Sequence, residues 1–125
     1  MNAAADVERL LTGYPPAVAD VARAVRETVL AALPGCEEQA DAAANVVGFG
    51  YGPGYKGLIC TLILSKKGVK LGVSGGAALP DPHGLLEGSG KVHRYVAVAD
   101  CAAAGDPRLA ELLATALAAY RSRAG

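Results

Sequence analysis

LICTLILSKKGVKLGVS, residues 58–74, decides the fold class. Leu58–Ser65 is an apolar run, and Val69–Ser74 alternates apolar residues with small or polar ones. Lys66-Lys67-Gly68 between them is a short polar turn, so the stretch is expected to form a β-hairpin. Successive strand residues point to opposite faces, which puts Val69, Leu71 and Val73 on one side and Lys70, Gly72 and Ser74 on the other. The first arm is apolar on both sides, with Leu58, Cys60, Leu62 and Leu64 against Ile59, Thr61 and Ile63. A strand of that kind is expected to have cover on both faces.

Working outward, Asn45–Tyr51 and Val92–Val98 are further β-like runs, and Gly and Pro punctuate 52–57 and 75–90. The first places Val47, Phe49 and Tyr51 together, with Gly48 and Gly50 opposite. Ahead of the strands, Asp6–Leu11 suits a short helix closed by Gly13. Pro15-Pro16 then opens a longer helix, whose first turn needs no proline N–H. Val18, Val21, Ala22, Val25, Val29 and Leu33 recur along it at helical spacing, and Pro34-Gly35 ends it. After the strands, Asp106-Pro107 caps and starts a last helix with the stripe Leu109, Leu112, Leu113, Ala116, Leu117 and Tyr120.

Strands that follow one another through short connections favour antiparallel pairing. The fold expected over residues 1–125, as one domain, is therefore an α+β two-layer sandwich. Its antiparallel sheet of about four or more strands carries the N-terminal and C-terminal helices on one face. The other face is left to loop 75–90, a second subunit or a ligand.

Composition narrows the function classes. Twelve basic and twelve acidic residues give a formal net charge of zero, which argues against a phosphate-tracking nucleic-acid surface. The charge is uneven: residues 1–62 hold seven acids and four bases, residues 63–125 five and eight. Such asymmetry orients a partner or a symmetric dimer, or is ordinary solvated surface. No apolar run approaches the ~20 residues of a membrane span. The opening residues carry Asp6 and Glu8 and no basic start, unlike a signal peptide. Cys36, Cys60 and Cys101 are odd in number and widely spaced, which fits a reducing compartment, and a cytoplasmic location is expected.

Few residues suggest chemistry. Gly88-Ser89-Gly90-Lys91 lacks the upstream glycine, the following Ser or Thr, and the helix of a phosphate loop. Cys60 reads as a small core residue, and Cys101 has no neighbouring cation in sequence to activate it. Arg94 shares strand phase with Val92, Val96 and Val98, so its guanidinium needs a partner. The options are a salt bridge to Glu87, Asp81 or a helix carboxylate, or an anionic ligand. His93 is expected to share a strand face with Lys91 and Tyr95. Gly48, Gly50, Gly72 and Ser74 suggest a shallow groove with Lys70 and Tyr55 at its rim, since strand glycines often mark close approach. The candidate ligand-binding residues are thus Arg94, Lys70, Lys91, His93 and Tyr55.

Two stretches carry a family resemblance. Leu85-Leu86-Glu87-Gly88-Ser89-Gly90-Lys91-Val92-His93-Arg94-Tyr95-Val96 and Pro34-Gly35-Cys36-Glu37-Glu38 resemble the YdhG-like family of unknown function, and the likeness runs over about residues 8–122. The resemblance implies a frataxin-like α+β fold and cytoplasmic residence. Through a relative described as a frataxin-like iron chaperone it also implies iron, which favours carboxylate oxygens. The acidic cluster that would serve here is Glu37, Glu38 and Asp41. Asp41-Ala42-Ala43-Ala44-Asn45 stands where Tyr-Gly-Met-Pro often follows in the family. The expected function is a non-catalytic binding module, carrying iron or a small ligand. A homo-oligomeric interaction domain using the sheet face is the alternative, and a small enzyme with a pocket near Arg94 comes third.

Overall fold

The computed structural model describes residues 3–52 and 57–124. The chain runs α1 (Ala3–Leu11), α2 (Pro16–Ala32), β1 (Glu37–Asp41), β2 (Val46–Gly50), β3 (Leu58–Ser65), β4 (Gly68–Val73), a 3₁₀ turn (Gly76–Ala78), β5 (Arg94–Val98), α3 (Cys101–Ala104) and α4 (Pro107–Ala124). The five strands form one antiparallel sheet in the order β1-β2-β3-β4-β5. Each strand pairs with the next, so the α+β architecture is a meander with helices at both ends. Among the described residues no helix is long and apolar enough to cross a membrane.

Helix boundaries follow the local chemistry. Pro16 sits in the first turn of α2, and the chain leaves that helix through Gly35 at φ 74°, a region that costs glycine nothing. The Asp106 carboxylate accepts the Arg108 backbone N–H at 2.9 Å as α4 begins, and Asp100 accepts from Ala103 at 2.8 Å to cap α3. The core forms between the helices and one sheet face. Val7, Leu11, Ala22, Val25, Val29, Leu109 and Leu113 meet Val47, Phe49, Cys60, Leu62, Leu71 and Val73, all almost fully buried.

Three expectations need correction. First, β1 did not stand out as a strand. Glu37-Glu38-Gln39-Ala40-Asp41 has weak strand propensity, yet it pairs residue for residue with β2. Its turn closes through Asn45 at φ 59°, a conformation asparagine tolerates. Second, the register between β2 and β3 shifts at Phe49/Gly50. The bulge takes Ile59 into the core beside Cys60, with Ile59 2% and Cys60 0% exposed. It turns Leu58 to the opposite face, beside Gly48. Third, β5 starts only at Arg94, so Lys91 and His93 lie in the loop before it and do not extend Tyr95's strand face.

Loop 75–90 reaches the second sheet face only at its β5 edge, where Glu87 pairs with Tyr95 and Gly88 lies against the Tyr95 ring. Leu79, Leu85 and Leu86 pack against the core, and His83 reaches Glu111 on α4 at 2.9 Å. Asp81 folds the loop by accepting the Leu85 and Leu86 N–H groups at 2.9 and 2.8 Å. Away from that edge, the sheet face opposite the helices stays open among the described residues.

Candidate functional site: the open sheet face

The ladder sets the face out in rows. Asp41, Val46, Ile63, Lys70 and Ala97 lie side by side across β1 to β5. Gln39, Gly48, Thr61, Gly72 and Tyr95 form the next open-face row. Glu37, Gly50 and Leu58 begin a third. Charge and apolarity are therefore sorted by strand. The acids stand on the β1 edge, the apolar side chains on central β3, and Lys70 with Tyr95 on the β4–β5 side.

The glycine groove is partly filled. A Cβ at Gly48 would stand 3.1 Å from Leu58 Cδ1, and one at Gly72 would stand 3.3 Å from Ile63 Cδ1. The missing side chains leave room for Leu58 and Ile63 to lie across neighbouring strands, which makes the groove shallow; a broad open depression of about 710 Å³ remains towards β1, bordered by Gln39, Asp41, Val46, Gly48, Leu58 and Thr61. Ile63 still keeps 36% of its surface exposed. At Gly50 a Cβ would run into the Gly57 carbonyl oxygen, so that glycine serves the chain crossing at the bulge. A second open depression of about 470 Å³ is bordered by Ile63, Lys67, Lys70 and Ala97.

The proposed ligand-binding residues do not converge. Lys70 places its Nζ 4.6 Å from the Tyr95 ring centre, a cation–π contact on the open face. Arg94 has the expected strand phase, but its partners are backbone carbonyls. Its Nε donates to Gly90 O at 2.7 Å and a terminal nitrogen donates to Gly88 O at 3.0 Å. The guanidinium thus ties down the 88–90 loop, without the carboxylate partner expected from sequence. His93 Nδ1 accepts the Gly75 N–H at 3.1 Å, and Lys91 is exposed in the loop. Among the described residues neither Arg94 nor His93 hydrogen-bonds a carboxylate. Tyr55 lies outside the described residues.

The metal candidates are separated too. Glu38 faces the helices, where it accepts from Arg26 Nε and a second guanidinium nitrogen at 2.6 and 2.7 Å. Glu37 and Asp41 alternate onto the open face, two register steps either side of Gln39. No group of three His, Cys, Asp or Glu side chains among the described residues is placed to hold a metal ion. The three carboxylates therefore do not fit the iron that the resemblance implies.

Cys60 and Cys36 are not poised as nucleophiles. Burial pushes the Cys60 thiol well above its ordinary range, and the same cause raises Cys36, which keeps both protonated. The His83–Glu111 pair went unnoticed in sequence because loop and helix lie 28 positions apart. It fastens the loop to α4 beside a small depression of about 220 Å³.

No protein-family model, curated protein or solved structure matches this chain. The assignment of a function therefore rests on the open face itself.

Proposed function

We propose that this chain is a non-catalytic interaction module, and that the open sheet face is its contact surface for a macromolecular partner. The observation that carries the proposal is the filling of Gly48 and Gly72 by Leu58 and Ile63. The depressions on this face are broad and open, and offer a small molecule little enclosure, since small-ligand sites are concave and bury most of their ligand. The apolar strip suits a flat surface well, because sheet faces pack by laying apolar side chains against one another. Charges of opposite sign on the two flanks add orientation more than affinity. The YdhG-like resemblance is compatible with this role, whereas its iron version loses its ligand set once Glu38 pairs with Arg26.

Site-specific photo-crosslinking in the cells that express the protein tests the proposal. A benzophenone side chain at position 63 should give one or a few adducts of discrete mass. The same group at exposed Ala114, on α4, should give none. Equal labelling at both positions, or no adduct at 63, refutes the open face as the contact surface.

A further inference from the structure

We infer that, with the open face as the contact surface, its occupant is a second copy of this chain, related by a two-fold axis running along β3. In aligned packing, two identical faces stack with that axis lying between them, either along the strands or across them. An axis across the strands sets β1 on β1. Because Asp41 and Glu37 lie at its two ends, carboxylate then meets carboxylate at both. An axis along the strands reverses strand order and preserves position along each strand. Asp41 then falls above Ala97 of the partner subunit, one strand from Lys70 of the partner subunit, within reach of that long side chain. Ile63 meets Ile63 of the partner subunit on the axis, and Thr61 and Leu58 face their own counterparts.

Of the two aligned orientations, the face is thus complementary to itself in one and self-repelling in the other. Its ionic groups carry only light local contacts: Asp41 accepts the Ala44 N–H at 3.2 Å, and Lys70 lies over the Tyr95 ring. Among the described residues neither Glu37, Asp41 nor Lys70 belongs to a salt bridge. Glycine at positions 48 and 72 helps as well. Each copy places one of them opposite the other, which removes two side chains from the layer between the sheets and lets Leu58 and Ile63 interdigitate.

Size sets the strength. Five strands about 4.8 Å apart and five residues of about 3.4 Å make a face of roughly 24 by 17 Å, or about 400 Å² per copy. The total of about 800 Å² falls short of the ~1,200–2,000 Å² of a stable complex. The dimer is therefore weak, concentration-dependent and sensitive to salt.

Sedimentation velocity from about 10 µM to about 1 mM tests the assignment, a range that brackets weak association. The wild-type protein should pass from monomer towards dimer across that range. Lys70→Glu and Asp41→Lys should each weaken association by about tenfold or more, and the two together should restore it to within about threefold. Ile63→Lys, which sets two ammonium groups against each other on the axis, should abolish it. Thermal melts of the variants check that each is folded. A wild type that stays monomeric throughout, or a charge-exchanged pair that recovers nothing, overturns the dimer. A position-63 adduct at a mass other than two chains also overturns it while upholding the open face; no adduct at all overturns the face.

Discussion

Replacing Glu38 by glutamine separates a structural carboxylate from a metal ligand. Glu38 keeps the side-chain shape, loses its charge, and leaves the Arg26 guanidinium with a neutral partner. The two contacts are 2.6 and 2.7 Å long, and the side chains of Arg26 and Glu38 are 22% and 9% exposed. A fully exposed pair is worth about 0.2–1 kcal/mol, whereas orphaning one partner of a buried pair costs about 3–5 kcal/mol. This pair lies between those limits, with one acceptor oxygen surviving in glutamine, so the expected loss is about 2 kcal/mol. For a chain of this length that lowers Tm by roughly 5–10 °C. Urea denaturation with Arg26→Met and the double variant should give a coupling energy of about 1–2 kcal/mol. The pair also joins α2 to the edge strand, so amide exchange in β1 should accelerate in Glu38→Gln. A variant that melts like the wild type, yet binds ferrous ion at least tenfold more weakly, would show that Glu38 serves a metal and that the structural assignment is wrong.

Two other expectations concern the 88–90 loop and the β2–β3 bulge. Arg94→Met removes the two bonds to Gly88 and Gly90; in an exposed loop the loss should be about 1 kcal/mol, with faster amide exchange and proteolysis confined to residues 86–93. Global unfolding without that local change would contradict the anchoring role. Gly50→Ala drives a methyl group into the Gly57 backbone, and should cost at least about 2 kcal/mol by urea denaturation because backbone cannot move aside as a side chain does. A neutral outcome would remove the bulge as an essential feature of the β2–β3 register.

Much of the fold can be read from local patterns. The helix at Pro16–Ala32 declares itself by its proline start, its apolar period and its Pro-Gly stop. The hairpin at 58–74 does so by two apolar runs around a polar glycine turn, and the last helix by Asp106-Pro107. These signals are local because backbone geometry and side-chain periodicity are local. Alternation also set Lys70 opposite Val69, Leu71 and Val73, but it left open which side of β3 faces the helices.

What only the tertiary structure decided depends on pairing across the sheet. Strand β1 owes its existence to the ladder with β2, because its five residues have little preference of their own and a single apolar side chain, Ala40. The bulge beside Ile59 exchanges that residue with Leu58 between faces, and no periodicity within β3 reveals a shift imposed by a neighbouring strand. Glu37, Glu38 and Asp41 are close in sequence, but an extended backbone sends Glu38 to Arg26 and the other two to the opposite face. Gly48 and Gly72 read as a groove until Leu58 and Ile63 are seen to occupy it. Sequence by itself determined the long helices, the central hairpin and which side chains are apolar. Long-range pairing decided which face each occupies, because a strand's alternation fixes two sides without naming either.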